Sequence, residues 1–236
     1  MSLLSRLWGR PRHLWSRPVD SLVLVEEAPV ARALVRHLPG LEDPRELVMR
    51  PTLGGDHARV DDVRRADHVW LGPWEATLPP SRSEGLPSMS EYIRLTDRKQ
   101  VAGEALAMMV QLDGRICGQF TLSGVQRGAA HMCSLGYWVT SEVAGRGLGA
   151  TCAAMMLDLA IGELDLHRVE VCVRPENQRS LGLCRRLGLR EEGLRVRYLH
   201  IAGQWADHVA FAADVESMPP GGWLQRLLRA RGVNTS

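Results

Sequence analysis

The sequence predicts a mixed α/β fold, in which the central sheet is neither purely parallel nor purely antiparallel. A strand, a glycine-rich loop, a helix and a second strand follow one another between residues 131 and 174, as in a parallel pair with a crossover helix. Hairpin signals stand before and after this unit, at residues 113–114 and 202–203, and they indicate antiparallel neighbours.

The chain of 236 residues is predicted to hold one domain between two tails. Residues 1–45 are a basic, proline-rich extension, with a short helix expected at 29–37. Residues 46–215 are the domain, and residues 216–236 are a C-terminal tail with a short basic amphipathic helix. In that helix Trp223, Leu224, Leu227 and Leu228 share one face.

The composition, 45% hydrophobic and 24% charged, is typical of a soluble globular protein, and a net charge of +2 is too small to indicate nucleic-acid binding. No apolar run reaches the ~20 residues of a membrane span, and the start lacks a secretory signal. The cysteines, which form no C-x-x-C pair, are expected to be buried and reduced. We therefore expect a cytoplasmic protein with no metal, no specific nucleic acid and no transmembrane segment.

The elements before the glycine-rich loop begin with a strand that is stopped by Pro51. They are a strand at 46–50, a helix capped by Asp56 and running toward residue 71, a long loop at 72–88, a helix at 89–104, strands at 106–112 and 115–122, and a strand at 131–139. The two strands at 106–122 are joined by Asp113-Gly114, because both residues tolerate the positive φ of a tight hairpin turn.

The elements after the loop begin with a helix whose core stripe is Cys152, Met155, Met156 and Leu159, at i, i+3, i+4 and i+7. A strand at 167–174, a helix at 175–189 closed by Gly188, and a hairpin of strands at 193–203 and 204–214 complete the domain.

The glycine-rich loop "GRGLGA", residues 145–150, opens a helix and predicts an anion site, because amide N–H groups at a helix start have no helical partner. A tight turn without a ligand is the alternative. A nucleoside-triphosphate loop would need a Lys that is missing here. Gly145, Gly147 and Ala150 fit the dinucleotide fingerprint, but Asp165 precedes the next strand and the chain ends in a hairpin, which argues against that fold.

The segments "GYWVTSEVAGRGLGA" and "LHRVEVCVRPENQRSLGLCRRLGLREEGLRVRYLHIAGQWADH" resemble the GNAT superfamily of acyl-CoA N-acetyltransferases. The segment "WLGPWEATLP" is similar to its RimJ/RimL type, which acetylates N-terminal amines of ribosomal proteins. The resemblance covers about residues 46–215. It implies a mostly antiparallel twisted sheet of about seven strands, splayed at the coenzyme site and flanked by about four helices, with acetyl-CoA as co-substrate and no metal.

The resemblance also implies roles for individual residues. The pyrophosphate of the coenzyme would meet the backbone of Ala144, Gly145, Arg146, Gly147, Leu148, Gly149 and Ala150. The pantetheine arm would lie along Tyr137, Trp138 and Val139. Asn177 would contact the coenzyme or an ordered water, and Ser180 would stand near the departing sulfur.

Two positions depart from the pattern of the superfamily. Many members carry Arg or Gln where this chain has Ala144, which removes a side chain but no backbone donor. Many members place a Tyr, the proposed acid for the thiolate, where Cys184 stands. Ser180, a water molecule or Tyr198 could then protonate the sulfur, while Cys184 is expected to pack in the core.

Acetyl transfer requires a neutral amine and a polarised thioester carbonyl, which the N–H near Val139 could provide. Glu75 is a candidate to bind the ammonium group or to act as base, and Glu170, Asp207, His208 or a water chain are alternatives. Four aromatic residues could wall the acceptor channel, with the alternative that the Trp residues among them fill gaps in the core: Trp70, Trp74, Trp138 and Tyr198.

Three functions remain open from the sequence. The first is acetylation of a protein N-terminal amine, with a ribosomal protein as the partner. The second is acetylation of a small amine such as an antibiotic or a polyamine, and the third is a non-catalytic acyl-CoA-binding module. A homodimer is compatible with each function.

Overall fold

A computed structural model describes residues 18–27, 31–32, 44, 46–79 and 87–232. Most of the predicted extension 1–45 therefore lies outside the described residues. Of the helix predicted at 29–37, only residues 31 and 32 are described, and both are helical.

The described residues form one eight-stranded sheet in the order β1-β2-β3-β4-β5-β6-β8-β7. All neighbouring strands are antiparallel except β5 and β6, which are parallel. The strands are β1 (Leu24–Glu27), β2 (Glu46–Pro51), β3 (Leu106–Leu112), β4 (Arg115–Gln126), β5 (Met132–Val139), β6 (Arg168–Val173), β7 (Arg190–Ile201) and β8 (Gln204–Asp214).

Six α-helices are described over their full extent. They are α1 (Asp56–Ala66), α2 (His68–Leu71), α3 (Met89–Ala102), α4 (Leu148–Leu157), α5 (Gln178–Leu187) and α6 (Gly222–Arg229). The predicted mixed, mostly antiparallel fold is confirmed, with one strand and two helices more than the approximate numbers expected.

The additional strand, β1, lies in the segment that the sequence analysis assigned to the extension. Leu24 and Val25 pair with Met49 and Val48 at the edge of β2, and the preceding Leu22 is fully buried. A strand of only four residues between two prolines carries little periodic signal, so its pairing with the edge of β2 is seen only in the structure.

The helix predicted from Asp56 to residue 71 is broken at Asp67 into α1 and α2. Gly55 is the N-cap and Asp56 is the first helical residue, so the predicted capping role of Asp56 is wrong. The Asp56 carboxylate instead accepts a hydrogen bond from Arg50 at 2.6 Å. At the break, the Asp67 carboxylate accepts hydrogen bonds from the backbone N–H of Ser141 at 2.6 Å and from its hydroxyl at 2.9 Å. This contact ties the α1–α2 corner to the end of β5.

The turn between β3 and β4 confirms the predicted hairpin. Asp113 and Gly114 have φ of 48° and 77°, as a two-residue turn of this kind requires. The strand after the turn is longer than predicted, because pairing with β5 continues to Gln126.

Helix α4 lies in the core, and its predicted stripe of Cys152, Met155, Met156 and Leu159 is buried. Nearly all of its other residues are buried too, since the sheet covers one side and α6 packs against another. After Leu157 the helix continues as a π-helical segment at Asp158–Glu163.

Helix α6 packs against the C-terminal end of α4, and the side chain of Asp158, the residue after α4, caps the first turn of α6. The Asp158 carboxylate accepts hydrogen bonds from the backbone N–H groups of Trp223 at 2.8 Å and Leu224 at 2.9 Å. Burial raises the pKa of Asp158, although these two amide donors partly offset the effect. The Trp223 side chain is 2% exposed, so the C-terminal helix is part of the core of the described structure.

Strands β5 and β6 pair over only three residues each, Met132 to Ser134 with Arg168 to Glu170. Beyond these pairs β5 remains bonded to β4, and β6 remains bonded to β8. The sheet therefore opens between Leu135–Val139 and Val171–Val173, which confirms the predicted splay.

No helix in the described part of the chain is both long and apolar enough to cross a membrane. All five cysteines are free thiols, and four of them are buried while Cys172 is half-buried. The prediction of reduced thiols within the core elements agrees with this arrangement.

We expect Trp223→Ala to lower the free energy of unfolding by about 3 kcal/mol or more, because the substitution leaves a cavity between α6 and α4. Trp205, which is 55% exposed, provides the matched control. Trp205→Ala should cost less than about 1 kcal/mol in urea denaturation. Equal losses in the two variants would contradict the docking of α6 on the core.

Candidate functional site

A cleft with a volume of about 370 Å³ lies at the open end of β5. The end of β5, the start of α4, one face of α5 and the α2 corner form its walls. The lining residues are Trp70, Leu71, Trp74, Tyr137, Trp138, Val139, Ala144, Gly145, Gly147, Gly149, Ala150, Asn177, Gln178, Arg179, Ser180, Gly182, Leu183 and Arg186.

The backbone of β5 presents polar groups to the open side of the sheet. The Thr140 N–H donates to the Cys117 carbonyl at 2.8 Å, which sets the phase of the β4–β5 ladder. Because hydrogen-bonded and non-hydrogen-bonded pairs alternate, the N–H and C=O groups of Tyr137 and Val139 point away from β4. The Val139 carbonyl accepts a hydrogen bond from the Trp70 indole at 3.1 Å, whereas the Tyr137 carbonyl and the Val139 N–H face the gap.

Two glycines of the loop adopt conformations that other residues rarely take. Gly145 has φ of 75° and Gly147, the N-cap of α4, has φ of 102°. The first helical bond of α4 runs from the Thr151 N–H to the Gly147 carbonyl at 3.1 Å. The N–H groups of residues 148–150 therefore have no partner within the helix, which is the arrangement that binds anions.

The third glycine of the loop, Gly149, lies close to α5. A Cβ atom on Gly149 would lie 3.4 Å from the Cδ1 atom of Leu183, so a side chain there would be in van der Waals contact with α5. Leu148 also differs from its neighbours, because its side chain is fully buried in the core. Only its backbone can take part in the predicted anion site.

Asn177, Ser180 and Tyr137 form one connected group in the cleft. Asn177 is the N-cap of α5, and its Oδ1 atom accepts a hydrogen bond from the Ser180 N–H at 3.1 Å. The Ser180 hydroxyl lies 2.6 Å from the Tyr137 hydroxyl. The Tyr137 ring stacks on Phe120 with centroids 5.0 Å apart, which holds its hydroxyl in place.

Helix α5 contributes a face to the cleft that the sequence analysis missed. Arg179, Gly182, Leu183 and Arg186 line the cleft and follow the i, i+3, i+4, i+7 spacing of one helical face. The Arg179 guanidinium carbon lies 4.7 Å from the centroid of the Trp70 ring, a cation–π contact. That spacing, which begins two residues after Asn177, was the signal from which these residues could have been found.

The predicted aromatic wall lies partly at the cleft. Trp70, Trp74 and Trp138 line it, and the Arg174 guanidinium carbon lies 5.8 Å from the centroid of the Trp74 ring. Arg174 also donates to the Pro73 carbonyl at 3.1 Å, which anchors the 3₁₀ turn that carries Trp74.

The described residues that line the cleft do not include four of the predicted site residues, namely Glu75, Arg146, Leu148 and Tyr198. Glu75 accepts a hydrogen bond from Arg64 at 3.0 Å, so its carboxylate is held by an ion pair. Tyr198 accepts a hydrogen bond from Arg195 at 3.1 Å and packs edge-on against His208. Glu75 is held by a residue of α1, and Tyr198 is held by neighbours on β7 and β8. The sequence does not show either set of contacts.

The three side chains considered as alternative bases, Glu170, Asp207 and His208, also have hydrogen-bond partners within the protein. Glu170 accepts hydrogen bonds from Arg168 and Arg195, each at 2.7 Å. Burial would raise the pKa of Glu170, but the two guanidinium donors outweigh it and hold the pKa below its usual range. Asp207 accepts a hydrogen bond from the Arg197 N–H at 2.7 Å. Burial lowers the pKa of His208, whose Nδ1 donates to the Ala206 carbonyl at 3.0 Å.

Cys184 packs in the core, as the sequence analysis expected. Its side chain is fully buried, and burial raises the pKa of the thiol to about 12. A thiol with such a pKa remains protonated near neutral pH, which does not favour a role as a nucleophile.

The charge of the cleft is positive. Its described lining holds two guanidinium groups, Arg179 and Arg186, and no carboxylate or imidazole. Within the described ranges no three His, Cys, Asp or Glu residues are grouped so as to hold a metal ion. Open amide donors at a helix N-terminus beside two cations fit a ligand that carries phosphate groups.

Comparison with known proteins agrees with this chemistry. Residues 46–190 match the family model described as an acetyltransferase (GNAT) domain. The chain is 29% identical over 181 residues to the [Ribosomal protein uS5]-alanine N-acetyltransferase of Escherichia coli K12, a match that covers 74% of this chain and 91% of that protein.

Solved structures of acetyltransferases are also similar to this chain. RimJ of Mycobacterium smegmatis, in complex with CoA-disulfide, is 33% identical, with a TM-score of 0.71 over 78% of this chain and 89% of that one. A spermidine N-acetyltransferase of Vibrio cholerae, in complex with CoA and spermine, is 20% identical, with a TM-score of 0.60 over 72% and 96% of the two chains. The second likeness shows the fold alone.

We expect Asn177→Ala to lower the free energy of unfolding by about 1 kcal/mol, because the N–H of Ser180 loses its cap. Asn177→Asp keeps an acceptor at the helix N-terminus and should remain within about 0.5 kcal/mol of the wild type. Thermal and urea denaturation measure both effects. A loss in the aspartate variant equal to that in the alanine variant would contradict the capping role.

Proposed function

The chain belongs to the GNAT acetyltransferase family and is an N-acetyltransferase, and from this premise we propose that it transfers the acetyl group of acetyl-CoA to the N-terminal α-amine of a ribosomal protein. Members of this family use acetyl-CoA. We propose that the acceptor is an N-terminal alanine, as the name of the Escherichia coli relative suggests, and that the reaction takes place in the cytoplasm.

One observation carries the proposal for the donor site. The N-terminus of α4, the open backbone of β5 and the Ser180 hydroxyl face the same cleft. A coenzyme A molecule requires these three features in this order, for its pyrophosphate, its pantetheine amides and its thioester. When bound, acetyl-CoA supplies an acetyl group that is already activated as a thioester.

The residues of the chain would divide the binding between them. The amide groups of Gly145 and residues 147–150 would hold the pyrophosphate, with Arg179 and Arg186 in the same cleft for phosphate charge. The Tyr137 carbonyl would accept a pantetheine amide hydrogen bond. The Val139 N–H would polarise the thioester carbonyl, and the Ser180 hydroxyl would stabilise the negative charge that forms on the sulfur.

The acceptor preference follows from the absence of a carboxylate in the described cleft lining. At pH 7.5 about a third of α-amino groups are neutral, compared with about 0.1% of alkyl amines such as lysine side chains. An N-terminal amine therefore needs little help from a protein base, and a water molecule suffices. A polyamine would need both deprotonation and acidic residues to bind its charges, so this lining favours a protein N-terminus.

Glu75 and Tyr198 take other roles in this proposal. The Glu75 carbonyl accepts a hydrogen bond from the Ala202 N–H at 2.9 Å, and its carboxylate binds Arg64. We propose that Glu75 shapes the acceptor side of the cleft, beside Trp74, by joining α1 to the β7–β8 turn. Tyr198 would border the acceptor from β7, and neither residue needs to exchange a proton.

An acceptor panel tests the proposed function. With acetyl-CoA at pH 7.5, we expect thiol release with a ribosomal-protein peptide that begins with alanine to exceed, by at least about tenfold, release with the two control amines. The first control is the same peptide with its N-terminus blocked and with one lysine as its only free amine. The second control is spermidine. Mass spectrometry of the product should place the acetyl group on the α-amine.

The panel also separates the alternatives. Faster release with spermidine would replace the protein acceptor by a small amine. Coenzyme binding without thiol release for any amine would contradict the enzyme and leave an acyl-CoA-binding module.

We expect Gly147→Val to raise the dissociation constant of coenzyme A at least about tenfold, because valine cannot keep the φ of 102° that orients the loop amides. Gly193→Val is the matched control, since Gly193 has φ of 121° in a bulge of β7 away from the cleft. Calorimetry measures the binding. Unchanged affinity in the Gly147 variant, or an equal loss in the control, would contradict the role of the loop.

A further inference from the structure

The hydroxyl groups of Tyr137 and Ser180 form a contact between the sheet and α5 that the proposed function does not explain. The two oxygen atoms are 2.6 Å apart, and both residues line the cleft. Tyr137 thus carries a polar group into a largely apolar part of the wall.

We propose that Tyr137 is a positioning residue whose hydroxyl donates to the Ser180 oxygen and so turns the Ser180 proton toward the sulfur of the leaving coenzyme. This inference rests on the proposed acetyl transfer. It assigns a reaction role to the Tyr137 side chain, in addition to the contacts of its backbone with the pantetheine arm.

The geometry makes Tyr137 a fixed donor. Its ring is held against Phe120 with an interplanar angle of 10°, so the hydroxyl cannot swing out of the wall. Burial raises the pKa of Tyr137 well above its usual range, so the phenol keeps its proton. A serine hydroxyl rotates freely unless an acceptor or a donor orients it. A donor on its oxygen leaves the serine proton directed at the open cleft.

The two hydroxyl groups can form a chain of hydrogen bonds that runs in one direction. Tyr137 can donate to Ser180, and Ser180 can donate to the sulfur. Each donor in such a chain polarises the next. The Asn177 side chain leaves the Ser180 oxygen available, because Asn177 accepts from the Ser180 backbone N–H.

The acetyl transfer requires no acidic side chain of the protein, because water exchanges both protons. The amine nitrogen bonds to the acetyl carbon, the carbon–sulfur bond breaks, and its electron pair stays on the sulfur. The amine releases one proton to water, and the thiolate takes one proton from water. Ser180 donates a hydrogen bond to the sulfur while its charge develops, and Tyr137 fixes the direction of that bond.

Tyr137→Phe tests the proposal, because it keeps the stacked ring and removes only the hydroxyl. We expect kcat for the alanine-starting peptide to fall about tenfold, with KM for acetyl-CoA and for the peptide within about twofold of the wild type. Tyr92→Phe makes the same chemical change on α3, where Tyr92 contacts His57, and should leave kcat unchanged. Coenzyme affinity and thermal unfolding of Tyr137→Phe check that its cleft is intact.

A double-mutant cycle shows whether Tyr137 acts through Ser180. Ser180→Ala should lower kcat, and adding Tyr137→Phe to that variant should lower it by less than about twofold more. A purely structural role of Tyr137 would give the same loss in both backgrounds.

The results separate this inference from the proposed function. Wild-type kcat in Tyr137→Phe, a change in KM alone, or independent losses in the double variant would overturn the role of Tyr137 while the acetyl transfer stands. A wild-type enzyme that releases no thiol with any amine would overturn the proposed function, and with it the reaction on which this inference rests.

Discussion

The structure depends on the short pairing of β5 with β6. Only three residue pairs join the two strands, after which β5 follows β4 and β6 follows β8. A longer parallel ladder would consume the N–H and C=O groups of Tyr137 and Val139 and close the cleft. Because the strands part, a sheet that is otherwise continuous keeps a short row of backbone donors and acceptors available for a ligand.

Helix ends are used in two ways around this opening. At α4, glycines replace a capping side chain and leave amide donors open toward the cleft. At α5, Asn177 satisfies the first turn and leaves Ser180 in a defined orientation. The amide groups at the start of α4 are therefore available to bind an anion. At the start of α5 the cap is supplied by Asn177, which fixes the position of the Ser180 side chain in the cleft.

The electrostatics of the molecule separate carboxylates from the cleft. Glu170 is held between Arg168 and Arg195, and Glu75 is paired with Arg64. The described lining keeps Arg179 and Arg186 instead. This distribution suits a phosphate-bearing donor together with an amine that is neutral near physiological pH, and it does not suit a polycation.

The sequence by itself determined the fold class, most elements and the glycine loop, because hydrophobic periodicity and residues suited to positive φ act over a few neighbours. Asp113-Gly114 and the stripe of α4 are examples. Only the tertiary structure decided that β1 joins the sheet, that Glu75 pairs with Arg64, and that Tyr137 meets Ser180. These contacts join residues that the packing of strands, helices and loops brings together, and no local pattern records which side chain will stand opposite another.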